Sequence, residues 1–597
     1  MPTPESIGFD TGKIIDEVVG KIESFETKYS EKIAKDQTYW DIYKGKLELS
    51  KTSSSNQLNK AIDGVSKSSV SELTRAVDNL ATTRYRMIMA QDPPFQALAQ
   101  RDDISEHDIY KIESLLSFQL EKTGYKRGLR DALASLELLG TVIIEEPWMT
   151  YPVNSNKPYW EGVGFVPRPL NQAFFTPSAM SIESADWIGT TDIVTKYRLK
   201  MLSQNDSNET AWIHQYVDEA LSETENEDSM PQSVKTKLMN SGYNDFKGNK
   251  TLDIYYGPLE SQNSYEDWVV GIVNRKHLVR FHKPILEMRP FRVAYSTKVD
   301  QEALGIGAGQ KTEHLVKMLN ANRSRIVDVI SFNVLSMFKG SRSAGIDQRD
   351  LRIKPFGVVW MDDMAGLERL SPDINSANYA IKLEEMLKDE IQGLTGATKN
   401  LQAVTTEATA TEASLVMNET MRRISVDTEI MAEPLLREHL YYMHKMNLRL
   451  LDRPIWLNVT GEQKPVRLLP DDINREVDFK IKITTDKDFR PQRVRRLIEL
   501  IQVITSVRQQ IPAGVNFMPL IDEATRALGI DPKKLQPPTH PLNIAGIPLA
   551  PQLTGGTPLG GQMASLAGLI NKEQGLAEAG AVPNLPMDQA ENMKVGL

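Results

Sequence analysis

A chain of 597 residues is too long for one compact domain, so several modules or one elongated, layered subunit are expected. Hydrophobic content of 40% and charged content of 25% exclude a wholly disordered or fibrous chain. The absence of cysteine removes disulfides, thiolate chemistry and Cys-based zinc sites and fits assembly in a reducing cytoplasm. The net charge of -9 argues against a protein that coats nucleic acid, while leaving room for one that lets it slide past.

The first residues, MPTPESIGFDTGKIIDEVVG, lack the basic-then-apolar order of a signal peptide, and no stretch reaches membrane-spanning length. From about 10 to 140 the periodicity is helical. ETKYSEKIAKDQTYWDIYKGKL places Ile33, Tyr39, Trp40 and Tyr43 near helical spacing, and SVSELTRAVDNLATTRYRMIMA stops at Gln91-Asp92-Pro93-Pro94. HDIYKIESLLSFQLEKTGY and RDALASLELLG are the next two helices. From about 141 to 300 the pattern changes to strands: TVIIEEPWMTY, EGVGFVPRPL, DWIGTTDIVTKYRL and TLDIYYGPL. DWVVGIVNRKHLVRF reads as a hairpin turning at Asn274-Arg275-Lys276, and LSETENEDSMPQSVK as an acidic, solvated insertion.

Residues 311–338 predict one long helix without internal Gly or Pro. A small basic unit follows, KGSRSAGIDQRDLRIKP with the short strand FGVVWM. A second long helix runs from about Asn375 to Gln392, with Ser371, Asp373 and Ser376 as candidate caps and Gly393 and Gly396 ending it. Next comes a Thr/Glu-rich loop and a helix from about Glu412 to Leu451, which Pro434 should kink. IWLNVT and VDFKIKITT read as strands and RPQRVRRLIELIQVITSVRQQ as a helix. The chain from Pro537 onward is rich in Pro, Gly and Ala and reads as an extended tail.

Catalytic chemistry is hard to find. GIGAGQKT, Gly305 to Thr312, approaches a phosphate-binding loop, but Gln310 stands where the wrapped backbone needs Gly. Its plainer reading is a Gly-rich corner that lets backbone pack closely before a helix. His277/His282 and His439/His444 are five apart, off the spacing for paired ligands on one helical face, so ordinary surface or core histidines are expected. Asp362-Asp363 and Asp471-Asp472 show no convergence, and no GxSxG occurs. No enzyme activity, metal or cofactor is expected. The basic clusters are Lys339, Arg342, Arg349, Arg352 and Lys354 in the small unit, and Arg490, Arg493, Arg495 and Arg496 later.

The order of these parts resembles the portal protein, or head–tail connector, of tailed double-stranded DNA bacteriophages, most closely those of short-tailed phages. Three stretches carry the resemblance: RPFRVAYSTKVDQEALGIGAG, LVKMLNANRSRIVDVI with Asn320, and TTEATATEASLVMNETMRRIS. Leu304 departs from the family's aromatic residue at the Gly corner. The resemblance implies an α+β, elongated multi-domain subunit of wing, stem helices, clip and crown, forming a ring usually of about twelve copies at one capsid vertex. On that reading 1–310 is the wing, 311–338 the first stem helix, 339–375 the clip and 376–396 the second stem helix. The tunnel loop is 397–412, the kinked helix 413–450, the wing return 451–510, and the crown and flexible tail 511–597.

The implied partners are further copies of the chain, double-stranded DNA passing without sequence specificity, the terminase large subunit, a tail adaptor, and the major capsid and scaffolding proteins. No membrane is expected as a partner. The implied location is the virion's portal vertex after assembly in the host cytoplasm. Thr405, Thr406, Glu407, Thr409, Thr411 and Glu412 would line the tunnel, a stretch that lacks Lys and Arg and so avoids gripping phosphates. Lys339, Arg342, Arg349, Arg352 and Lys354 would dock partners. Arg422 and Arg423 would either brace a neighbour's carboxylates or form a weak ring facing DNA. The alternatives are another virion structural protein, such as an adaptor or internal core protein, or a nucleotide-dependent factor using Gly305–Thr312.

Overall fold

The computed structural model describes residues 4, 8–46, 68–91, 93–101, 104–151, 159–203, 212–222, 249–334, 337–340, 367–370, 374–396, 424–451, 455–457, 466–468 and 470–482. The chain divides into one unit of 1–459 with 464–489 and another of 460–463 with 490–597. Only the first contains described residues, so the expected helix at 490–510, the crown and the tail lie outside them.

Four helices open the fold: α1 (Thr11–Tyr43), α2 (Glu72–Ile88), α3 (Glu106–Lys122) and α4 (Tyr125–Leu139). Helix α1 starts where the Asp10 carboxylate accepts from the Gly12 and Lys13 amides, satisfying donors that the first turn cannot pair. Its inner face is Ile14, Val18, Ile22 and Phe25, at helical spacing and essentially fully buried. Between α2 and α3 lies β1 (Phe95–Ala99).

The strand region follows as β2 (Thr141–Glu145), β3 (Trp148–Tyr151), β4 (Trp160–Val163), β5 (Val166–Arg168), β6 (Ala173–Phe175) and β7 (Ile188–Thr195). Helices α5 (Lys196–Ser203) and α6 (His214–Ser222) precede β8 (Asn249–Leu259), β9 (Ser264–Val273), β10 (His277–His282) and β11 (Phe291–Tyr295). DWIGTTDIVTKYRL is therefore strand only to Thr195. Leu199 must turn inward, and KYRL forms the first turn of α5, where Thr195 Oγ1 accepts from the Arg198 amide at 3.2 Å. Strands β10-β9-β8-β7-β6 make a five-stranded antiparallel sheet, and β11-β2-β5 a three-stranded one. The expected turn at 274–276 is present, with Asn274 and Arg275 at positive φ.

The inner face of α1 packs on the five-stranded sheet through Phe25, Phe175, Tyr255 and Ile272. Charge fixes that contact. Arg275, buried at the sheet's end, reaches Glu26 at 2.5 Å and Asp253 at 3.7 Å. A second core joins α2, α3 and α4 to the later helix described below, through Ile112, Leu129, Leu133, Leu435, Leu440 and Met443. The two sheets are tied by Arg168, which donates to Glu145 on β2 and to both oxygens of Asp192 on β7.

The remaining elements are α7 (Ala308–Val334), β12 (Met337–Gly340), β13 (Leu367–Leu370) and α8 (Ile374–Thr395). A helix then runs from 424 to 432, through a π turn at Glu433–Arg437, into Glu438–Leu450; together these are α9. Strands β14 (Ile455–Leu457) and β15 (Val466–Leu468) pair with each other, and β16 (Val477–Ile481) returns to pair with β1. Helix and strand segments are mixed rather than alternating as βαβ repeats, consistent with an α+β fold.

Candidate functional site

The glycine corner sets where α7 begins. Gly140, at the end of α4, sits at φ +90°, a conformation that favours glycine. It brings the α4 terminus against the corner. A Cβ on Gly305 would lie 2.6 Å from Gly140 O, and one on Gly309 2.8 Å from Leu138 O. The groups a phosphate would need are spent on the fold. The Gly305 amide donates to Thr141 Oγ1 at 2.7 Å, and the Ile306 amide to Thr297 O. Lys311 Nζ donates to Thr297 Oγ1, and the buried Thr312 hydroxyl to Ala308 O. GIGAGQKT is filled by backbone, as the plainer reading expects.

Helix α7 spans Ala308–Val334, three residues earlier at its start than expected. It also ends earlier, because Met337–Gly340 is strand paired antiparallel with Leu367–Leu370. That ladder closes the chain at both ends of 341–366. Lys339 lies in it, in register with Glu368. Helix α8 runs through Gly393 and ends at Gly396, φ +74°, so Gly393 does not terminate it and Gly396 does.

Helices α7 and α8 pack through Leu315, Val316, Leu319, Leu387 and Ile391, with Tyr39 of α1 completing the core. The Tyr39 hydroxyl donates to Glu313 at 3.2 Å; burial and that carboxylate push its pKa up to about 12. Polar contacts fix the helix register. Asn322 Nδ2 donates to Ala380 O at 2.7 Å, and buried Glu384 pairs with Lys388 at 2.6 Å and Arg323 at 3.2 Å. Gln392 Nε2 reaches Glu72 of α2 at 2.7 Å. Asn320, prominent in the resemblance, accepts from the Val70 amide at 2.7 Å and so ties α7 to the approach to α2. The side of α8 away from this core carries Tyr379, Leu383, Met386 and Leu394, all exposed and 73%, 40%, 68% and 47% accessible.

Helix α9 bends its hydrogen-bond pattern where Pro434 lacks an amide proton. The buried Tyr125 hydroxyl donates to Leu435 O at 3.0 Å, satisfying a carbonyl inside the π turn. One turn on, His439 Nδ1 meets Glu146 at 2.7 Å with both side chains fully buried, and Arg292 reaches Glu146 at 3.2 Å. Burial pushes the nearby Glu438 carboxyl upward, with Arg292 opposing. His439 and His444 are thus core histidines, the latter bonded to Arg475 O. Sequence spacing could exclude a metal pair, but no local signal could reveal a partner 293 positions away.

Of the residues expected to line the tunnel, dock partners or brace a neighbour, Lys339 alone falls in a described element. Arg342, Arg349, Arg352, Lys354, Thr405, Thr406, Glu407, Thr409, Thr411, Glu412, Arg422 and Arg423 lie outside the described residues, as do FGVVWM and Asp362-Asp363. The structure supplies what flanks them: the β12–β13 ladder around 341–366, and α8 and α9 around 397–423. Among the described residues no His/Asp/Glu group is arranged to hold a metal, and no helix is long and apolar enough to cross a membrane.

The family model described as phage SU10 portal protein matches residues 338–532. Residues 338–532 are thus similar to a phage portal protein. The match takes in the β12–β13 ladder, α8, α9 and the loops they flank, and it includes TTEATATEASLVMNETMRRIS. The other two stretches of the resemblance precede residue 338 and lie outside the match. No match to the chain is found among curated proteins. The portal match supports a phage portal role.

Proposed function

We propose that this chain is the subunit of a ring, of about twelve copies, that forms the DNA channel at one capsid vertex of a tailed phage. The observation that carries the reading is the portal match over 338–532. It takes in the β12–β13 ladder, the helix α8 that leaves it, and a following stretch, 401–413, without Lys or Arg. In this reading α7 and α8 are the stem, 341–366 the body of the clip, and 397–412 the tunnel loop. The clip's cations Lys339, Arg342, Arg349, Arg352 and Lys354 dock the terminase during packaging and a tail adaptor afterwards. The outer part of the ring contacts capsid and scaffolding proteins, which places the protein in the virion. The role is structural: DNA passes and no bond is made or broken by the chain itself.

The exposed side chains of Tyr379, Leu383 and Met386 on α8 favour self-association, because they would gain by burial against a second copy. Electron microscopy of the purified chain tests the reading. Closed rings with a central hole are expected. A monodisperse monomer at high concentration would overturn it and favour an adaptor or internal core protein.

A further inference from the structure

Helices α7 and α8 each turn one stripe of side chains away from their shared core. On α7, His314, Met318, Ala321 and Arg325 follow at steps of four, three and four residues, which puts them on one side of the helix. All are exposed except Ala321, which is half-buried. On α8, Tyr379, Leu383, Met386 and Glu390 repeat the same steps, and all four are exposed. The two helices differ in charge. The exposed charged side chains of α7 are Lys317 and Arg325, with no exposed carboxylate on that helix among the described residues. Those of α8 are Glu385, Asp389 and Glu390 against Lys382. Lys317 is held by Glu313, and Glu384 by Arg323 and Lys388, but Arg325 and Glu390 form no ion pair among the described residues.

Heights along the pair fix which residues can meet. The β12–β13 ladder joins the end of α7 to the start of α8, so the helices run antiparallel. Asn322 bonds to Ala380, Arg323 pairs with Glu384, and Leu315 and Leu319 share a core with Leu387 and Ile391. Arg325 therefore stands level with Tyr379, Ala321 with Leu383, Met318 with Met386 and His314 with Glu390, each within a residue or so at a rise of about 1.5 Å. In a ring whose axis runs along these helices, rotation moves each copy sideways and leaves every height unchanged, so the same levels hold between copies. We infer that α8 of one copy packs on α7 of the next with the two stripes in that register. Arg325 lies over the Tyr379 ring, Ala321 and Met318 meet Leu383 and Met386, and His314 donates to Glu390. This rests on the ring reading and names its contact. A second copy is favoured over another partner because the chain carries both halves of the contact, matched in spacing and opposite in charge. Packing α8 on α8 would instead set acid against acid, and a contact between like faces stops at a dimer where unlike faces repeat around a ring.

The chain has no cysteine, so introduced pairs report the contact directly, since a disulfide needs Cα atoms within about 7 Å. M318C/M386C, both at exposed positions, should keep the parent's melting temperature. On mild oxidation of the full-length protein it should give a ladder of covalently joined chains that reductant dissolves. M318C alone and M386C alone should run as single chains on the same denaturing gel. H314C/L383C, drawn from the same stripes but about 11 Å out of level, should give no ladder. Covalent dimers of M386C alone would show α8 packed on α8 and overturn the inference. So would a ladder from H314C/L383C equal to that of M318C/M386C. Electron microscopy of the reduced samples separates this contact from the reading it rests on. Rings without a ladder overturn the contact alone, whereas monomers without a ladder overturn both.

Discussion

Three residues of backbone, Leu138 to Gly140, occupy the space beside GIGAGQKT, and that contact decides between a ligand loop and a packing corner. A Cβ on Gly307 would meet Leu138 O at 2.5 Å and press on the Gly140 amide, neither of which can move without shifting α4 or β2. Gly307→Ala should therefore destabilise the fold by about 1–3 kcal/mol, the usual cost of overpacking a tight site. Lys311→Ala removes the exposed hydrogen bond to Thr297 without crowding backbone and should cost less than Gly307→Ala. Urea denaturation of the two variants checks this. Equal stability of Gly307→Ala and the parent would mean that the corner is looser than its contacts imply. At this scale the sequence was informative, because a missing side chain is a local signal. The buried pair of His439 and Glu146 was not legible, because its meaning depends on a contact across the fold.

At the scale of elements, α9 shows both what pattern reading reaches and where it stops. Its apolar periodicity and the Pro434 irregularity were readable, since a proline's missing donor is a property of one residue. The form of the irregularity was not. It is a π turn in which the hydroxyl of Tyr125, on α4, donates to Leu435 O. Tyr125→Phe removes that donor while keeping the ring that stacks on His439, so one buried hydrogen bond is lost. The expected loss is about 0.5–1.5 kcal/mol. Thermal melting should reveal it, and Tyr265→Phe, at an 88% exposed position, should melt with the parent. Amide exchange in 433–438 should rise in the first variant if the hydroxyl holds the turn; unchanged exchange there would assign the turn to Pro434 alone. The same limit explains the short elements. KYRL became a helix because Leu199 had a core to enter, and Met337–Gly340 became a strand because Leu367–Leu370 lay opposite. Gly393 stayed helical because neighbouring Ile391 and Gln392 anchor the last turn of α8.

For the whole molecule the governing quantity is charge. With -9 on each chain, a ring of about twelve copies carries about -108, a field that keeps DNA from most of its surface. A conduit needs this, because Lys and Arg contacts to phosphate dominate affinity and each one slows passage. In the proposed assembly, the stretch 401–413 would meet the duplex, with Glu407 and Glu412 and without a cation. Glu407→Lys with Glu412→Lys would change each chain by +4 and a ring of about twelve by about +48, all in the channel. Ring assembly should be unaffected, since the proposed subunit contacts lie on α8 rather than in the loop. Packaging should fail or stall, because every subunit would then offer phosphate contacts that must be broken as DNA moves. The measurement is the yield of DNA-filled heads and the length of DNA recovered from them, beside negative-stain images of the variant ring. Intact rings with yield reduced at least tenfold are expected. Intact rings with unchanged yield and length would take the loop out of the transport mechanism and leave the channel's DNA contacts to be sought on α7 and α8.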